Sequence, residues 1–185
     1  MAKRALIVID VQNEYFEGAL PISDPPPDVS LANIGRAMDA ATAAGVPVIV
    51  VRHTDSEPDA AIFREGSHAW ELHPEVERRS RDHLVDKTYP GSFTGTHLES
   101  ILSGAGVDTV AITGYMTHMC VDTTSRQAGH LGLAVEILSD ATGTLPLENS
   151  GGKAAGEELH RATLVAQGQF FADVVETDDW LARLG

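Results

Sequence analysis

Cysteine is nearly absent. The 185-residue chain has one, Cys120, which excludes an internal disulfide. A lone thiol fits a reducing compartment and is either a small buried hydrophobe or a reagent. Positive charge is scarce as well: 13 Lys and Arg stand against 27 Asp and Glu, a net charge of −14. Neutralising phosphates takes clustered Lys and Arg, so no nucleic-acid partner is expected. No apolar run approaches the roughly 20 residues that cross a bilayer. After Met1-Ala2-Lys3-Arg4 the apolar stretch from Ala5 to Ile9 stops at Asp10, short of the about 7–15 residues of a signal-peptide core. These absences predict a cytoplasmic protein with neither membrane nor nucleic acid as partner. Aromatic residues make up only 5% of the chain, so rings gathered at one place would carry weight. What is present is ordinary globular usage, 43% hydrophobic and 22% charged, over a length that suits one domain spanning residues 1–185.

Short β-branched runs alternate with segments of helical period. Residues 5–10, 46–52, 83–87, 107–113, 133–138 and 170–175 predict six strands, several apolar at nearly every position, as burial on both faces requires. Ser30 is expected to cap a helix whose Leu31, Ile34, Met38 and Ala41 share one face and which stops near Gly45-Val46-Pro47. Residues 96–103, 120–131, 153–167 and 178–184 predict the other helices. Residues 57–81 are irregular and read as an insertion over one sheet edge. Such alternation builds βαβ units with right-handed crossovers, hence a mostly parallel, Rossmann-like six-stranded sheet with helices on both faces. Ligands of such sheets sit beyond the carboxyl ends of the strands.

Three ionisable groups fall at those ends. Asp10 closes the first strand, Lys87 closes the third, and Cys120 opens the helix after the fourth. Taken singly, Asp10 is a turn cap, Lys87 an exposed lysine and Cys120 inert packing. Taken together, they predict a thiol whose pKa is depressed by a helix N-terminus and a nearby ammonium, with a carboxylate at hand to move its proton.

The words around these residues are more specific. Asp10-Val11-Gln12-Asn13-Glu14-Tyr15-Phe16, Lys87-Thr88-Tyr89-Pro90-Gly91-Ser92-Phe93-Thr94-Gly95-Thr96 and Thr113-Gly114-Tyr115-Met116-Thr117-His118-Met119-Cys120-Val121-Asp122 resemble, in order, the isochorismatase-like cysteine hydrolase family. The resemblance runs from Ala5 to at least Thr142. It implies a three-layer α/β/α fold and an Asp–Lys–Cys triad of Asp10, Lys87 and Cys120. It also implies a cis, non-proline peptide between Tyr115 and Met116, with the Met116 and Cys120 N–H groups as an oxyanion hole. Tyr15 and Phe93 match aromatic positions that line family pockets. Tyr115, His53 and Trp70, the last in the insertion, are further candidates for substrate contact.

Family members that cleave the vinyl ether of isochorismate can dispense with the cysteine, because that reaction needs protonation and not acyl transfer. The thiol here therefore points to hydrolysis of an amide or related C–N bond in a small molecule, without a cofactor. The alternatives are ether hydrolysis of the isochorismatase type and a flavodoxin-like binding module without chemistry. The family also implies a homodimer or homotetramer.

Several other features tempt. Nicotinamidases of the family carry an Asp-x-His metal pair after the second strand, with more histidines nearby. This chain has the pair inverted, His53 and Asp55, followed by His68 and His73, and no metal is expected. His118 lies two residues before the thiol, but the helix turn is expected to point its ring away. Ser150-Gly151-Gly152-Lys153 ends like a phosphate loop, yet Leu147 stands where the first glycine belongs, and it reads as a turn. Met116 and Met119 read as packing apart from the Met116 backbone.

Overall fold

A computed structural model of the protein describes residues 2–185. Strands β1 (Arg4–Ile9), β2 (Val48–His53), β3 (His83–Lys87), β4 (Thr109–Tyr115), β5 (Ala134–Gly143) and β8 (Asp173–Val175) make one sheet, and β6 (Leu147–Asn149) and β7 (Gly152–Ala154) form a separate hairpin. The sheet order is β3-β2-β1-β4-β5-β8 and every pairing is parallel. Helices α1 (Pro27–Ala43) and α6 (Thr177–Ala182) cover one face; α3 (Leu98–Gly104), α4 (Asp122–His130) and α5 (Gly156–Phe170) cover the other. The short α2 (Pro74–Glu77) lies in the segment between β2 and β3. This is the expected three-layer α/β/α architecture. No helix among the described residues is long and apolar enough to cross a membrane.

The alternation of side chains along each strand divides the core in two. Leu6, Val8, Val48, Val50 and Ala111 face Ile34, Met38 and Ala41 of α1, and Trp180 of α6 closes the same layer. Ile7, Ile9, Ile49, Val51, Val110 and Ile112 face Leu98 and Leu102 of α3 and Ala128 of α4. Each such buried aliphatic side chain stabilises the fold by roughly 1.5–3 kcal/mol, which is why the central strands read as nearly continuous apolar runs.

The element ends depart from the sequence expectations for identifiable reasons. Helix α1 starts at Pro27, not behind a Ser30 cap. Proline at the first helical position has its φ already set and no N–H to satisfy. Ser30 lies inside the first turns, with its hydroxyl 2.9 Å from that of Tyr115. The helix expected from residue 153 begins at Gly156, because Lys153 is held in the β6–β7 hairpin, paired with Glu148 at 2.8 Å. The last strand is only Asp173–Val175, since Phe170 still belongs to α5 and the Phe171 N–H donates to the Gln167 carbonyl at 2.9 Å. β5 runs on to Gly143 past the half-buried Ser139 and Asp140, whose polarity interrupts the apolar run. Asp140 is committed: Asn33 and Thr177 both donate to its carboxylate.

The irregular segment reaches the β3 end of the sheet, where its Glu65 and Trp70 border a cavity beside Asp86 and Lys87. It also wraps the carboxyl ends of β1 and β2: the Asn13 and Glu14 N–H groups donate to the Glu71 and Ala69 carbonyls at 3.0 and 2.8 Å, and the His73 N–H donates to the Val11 carbonyl at 2.8 Å. Residues 11–14 leave the sheet with unpaired backbone groups, and the segment satisfies them.

Candidate active site

The sheet order reverses between β1 and β4, so a crevice opens where those two strands end. Asp10 sits there with φ of 51°, a left-handed conformation that Asp adopts more readily than most residues. Beside it, Gly114 pairs with Ile9 and has φ of 107°; a Cβ at this position would run into the Ile9 carbonyl. Only glycine lets β4 approach β1 this closely. β4 then leads into a π-helical turn, Thr117–Val121, ahead of α4. Cys120 thus lies in that turn and not in the first turn of a regular α-helix, a difference that helical periodicity does not report.

Lys87 joins the two strand ends. Its Nζ is 2.7 Å from Asp10 Oδ2 and donates to Cys120 Sγ at 3.5 Å, to the Tyr89 carbonyl at 3.1 Å and to His53 Nδ1 at 3.0 Å. Asp10 is fully buried, and Lys87 and Cys120 are 2% and 6% exposed, so the exposed-lysine reading is excluded. Burial alone would lower the Lys87 pKa, but the Asp10 carboxylate and the Cys120 sulfur reverse this and hold the ammonium above its usual range. For the thiol the expectation fails. Burial and then the Asp10 charge push Cys120 up to about 12, although Lys87 pulls the other way. Desolvation next to a carboxylate outweighs the ammonium. The resting sulfur therefore carries its proton at neutral pH.

The peptide between Tyr115 and Met116 is cis, as the resemblance implied. The Met116 carbonyl accepts from the Met119 and Val121 N–H groups at 3.0 and 3.2 Å, while the Met116 N–H has no acceptor among the described residues. A free backbone donor four residues before the thiol is what an oxyanion site requires.

A family model for the isochorismatase domain matches residues 4–179 of this chain. The chain belongs to the isochorismatase family. A crystal structure of an isochorismatase-type protein from Burkholderia xenovorans superposes with a TM-score of 0.97 at 52% identity, covering 99% of this chain and 88% of that one. A secreted isochorismatase effector of Verticillium dahliae is 36% identical over 75% of this chain and 71% of its own length. Nicotinamidase 3 of Arabidopsis thaliana is 31% identical over 94% of this chain and 85% of its own.

In this isochorismatase-family hydrolase the remaining candidates fall out as follows. Tyr15 is buried and its ring lies 5.4 Å from those of both Phe63 and Tyr115. Burial, then the Cys120, Asp10 and Glu14 charges, drive its hydroxyl well above the usual range, so it is within electrostatic reach of the centre. Tyr115 is wholly buried, with its hydroxyl 2.9 Å from that of Ser30 on α1. Phe93 is half-buried against the α3–α4 core layer. Trp70 donates from Nε1 to Thr54 at 2.9 Å and stacks under the Arg52 guanidinium at 3.9 Å. With Lys87, Thr54 and Gly95 it lines a cavity of about 240 Å³. Larger clefts of about 480 and 520 Å³ border the 52–78 segment, and Asp10, Lys87 and Cys120 line neither.

The inverted pair and the histidines after it each have other partners. His53 Nδ1 is taken by Lys87, Asp55 accepts from the Glu57 N–H, His68 pairs with Glu17 and Glu71, and His73 accepts from the Glu75 N–H. Among the described residues no group of three or more His, Cys, Asp or Glu is arranged to hold a metal ion. His118 Nδ1 lies 2.6 Å from the Thr144 hydroxyl, and Ser150 and Gly151 form the tip of the β6–β7 hairpin, with Gly152 and Lys153 already in β7.

Sequence reasoning missed three supports. Gln12 clamps the neighbouring backbones, donating to the His53 and Trp70 carbonyls at 2.9 and 2.7 Å and accepting from the His53 N–H at 2.9 Å. Glu14 accepts from the Ala19 and Phe63 N–H groups at 2.6 and 3.2 Å. Phe63, the one phenylalanine of the insertion, packs on both Tyr15 and His53. The visible signal was a polar run, Gln12-Asn13-Glu14, inside an apolar neighbourhood.

Burial lowers the pKa of His53, His73, His118 and His160, while exposed His68 is raised by Glu17 and Glu71. Groups depressed in the fold bind fewer protons there than in the unfolded chain. Their contribution is fully present above about pH 6.5 and is lost as pH falls through their folded values. The melting temperature is therefore expected to drop between pH 7.5 and 5.5, before most carboxylates titrate. A flat profile over that range by differential scanning fluorimetry contradicts this.

Proposed function

We propose that the protein is a cofactor-free cysteine hydrolase that cleaves an amide or related C–N bond of a small molecule through a thioester on Cys120. The observation that carries this is the buried Lys87 ammonium, 2.7 Å from Asp10 and 3.5 Å from the Cys120 sulfur. In this reading the whole chain is one hydrolase domain working in a reducing, cytoplasmic compartment. Dimeric or tetrameric assembly belongs to the same proposal; exposed Val165 and Phe170 on α5 suit a contact between copies.

The steps follow from the geometry. A thiol held up to about 12 is a poor standing nucleophile, so the thiolate forms only as the substrate arrives. Asp10 takes the Sγ proton, and Lys87 stabilises the sulfur anion that results. The sulfur attacks the carbonyl carbon, and the Met116 and Cys120 N–H groups donate to the oxyanion. Collapse breaks the C–N bond, with the proton on Asp10 passing to the leaving nitrogen. Water then gives a proton to Asp10 and attacks the thioester. The acid leaves, and the proton returns to sulfur. Of the relatives, nicotinamidase bears the name of an amide hydrolase, which supports the bond class.

A panel of small amides, imides and carbamoyl compounds, read out as released ammonia or amine, tests the proposal. At least one compound should be turned over, and dialysis against a strong chelator should leave the rate unchanged. Turnover of enol ethers alone would replace the C–N reading, and activity restored by zinc, iron or manganese would overturn the cofactor-free one.

A further inference from the structure

Lys87 has three N–H bonds and three hydrogen-bond acceptors, His53 Nδ1, the Tyr89 carbonyl and Cys120 Sγ, while Asp10 Oδ2 lies 2.7 Å away as an ion-pair partner that accepts no hydrogen bond among the described residues. An ammonium accepts nothing, so each partner must present a lone pair. At 3.0 Å, His53 does so only with Nδ1 bare and its proton on Nε2. We infer that His53 is a positioning residue for Lys87: its bare Nδ1 takes one ammonium N–H and keeps the other two on Tyr89 and the sulfur, where without it the ammonium would turn toward the Asp10 carboxylate and away from the sulfur. This rests on the triad proposed above, and it moves His53 from a substrate contact to a support of the ammonium.

The surroundings are built for that task. Gln12 holds the His53 backbone at both its N–H and its carbonyl. The Phe63 ring stands 5.0 Å from the imidazole, inclined by 67°, and limits its rotation. The charged groups that face the ring are Lys87 from β3, Asp10 after β1 and Asp55 after β2. Burial and then Lys87 depress the imidazole, with Asp10 and Asp55 opposing, so the ring is neutral at pH 7. A protonated His53 would set a second cation against the ammonium and take away its acceptor.

The test compares full-length wild type, His53→Asn, His53→Leu and Lys87→Met. Asn places an acceptor oxygen where Nδ1 stands and cannot titrate; Leu supplies none. Nitrogen-15 NMR of the wild type at pH 7.5 should show His53 neutral, with the proton on Nε2. Iodoacetamide alkylation of Cys120, followed between pH 8 and 11, should slow about tenfold or more in His53→Leu, one unit of thiol pKa, and His53→Asn should recover most of that loss. A proton on Nδ1 overturns the inference. So does a His53→Leu profile that overlays the wild type, or a His53→Asn as slow as His53→Leu at an unchanged melting temperature. If His53→Leu does not fold, a His53→Asn as slow as Lys87→Met overturns it, and one near wild type with the Nε2 proton sustains it. A Lys87→Met profile identical to the wild type sinks the triad itself, whereas slowing in Lys87→Met without slowing in His53→Leu removes only the role of His53.

Discussion

Cys120→Ala should abolish turnover while the fold survives. In the proposed mechanism the sulfur, 3.5 Å from Lys87 Nζ, is the nucleophile, and its removal leaves Asp10 and Lys87 as an ion pair. Thermal stability should change by roughly 1 kcal/mol, because one small buried side chain becomes a smaller one. Substrate affinity, read by calorimetry or by protection against proteolysis, should stay near that of the wild type. Cys120→Ser should be nearly as inactive, since a hydroxyl is harder to deprotonate than a thiol and Asp10 is a weak base for it. Retention of more than about a tenth of the rate in Cys120→Ala would mean that protonation chemistry, not acyl transfer, is the reaction.

Lys87→Met should do two things at once. Asp10 and Lys87 form a buried pair whose side chains are both wholly inaccessible. Removing one partner of such a pair costs about 3–5 kcal/mol, because the other charge is left unpaired in a dry site. At about 2–4 °C per kcal/mol for a chain of this size, the melting temperature should fall by roughly 6–20 °C. The thiol, already raised by burial and by Asp10, loses the one neighbour that lowers it. Alkylation at a fixed pH should then slow, and turnover should fall by about 10²–10⁴. A Lys87→Met protein that melts and alkylates like the wild type would take Lys87 out of the centre.

Much of this was legible in the chain. The strands of the central sheet announce themselves because burial on both faces leaves no room for polar side chains, as along Ala5–Ile9 and Val48–Val51. Asp10, Lys87 and Cys120 were visible because strand ends of a parallel sheet are where its chemistry gathers, and the structure brings the three together. Less was legible wherever one side chain decides the outcome. Pro27 took the helix start from Ser30, and Lys153 lies in the β6–β7 ladder opposite Glu148. The π turn around Cys120 has the residue pattern of an ordinary helix. The sign of the thiol shift depended on depth of burial, which spacing does not encode. The Lys87–His53 contact depended on a cross-strand register, His53 opposite Lys87, that became visible only once β2 and β3 were paired.

The central claim is that the acyl group of the substrate rests on Cys120 between two half-reactions. Hydroxylamine partitioning tests it most directly. An amide that is turned over is incubated with the enzyme and increasing hydroxylamine, and the acyl hydroxamate is measured beside the acid. The account predicts hydroxamate that rises with hydroxylamine at the expense of the acid, and none with Cys120→Ala. Full turnover to acid with no hydroxamate at any concentration, or equal hydroxamate from Cys120→Ala, would contradict it.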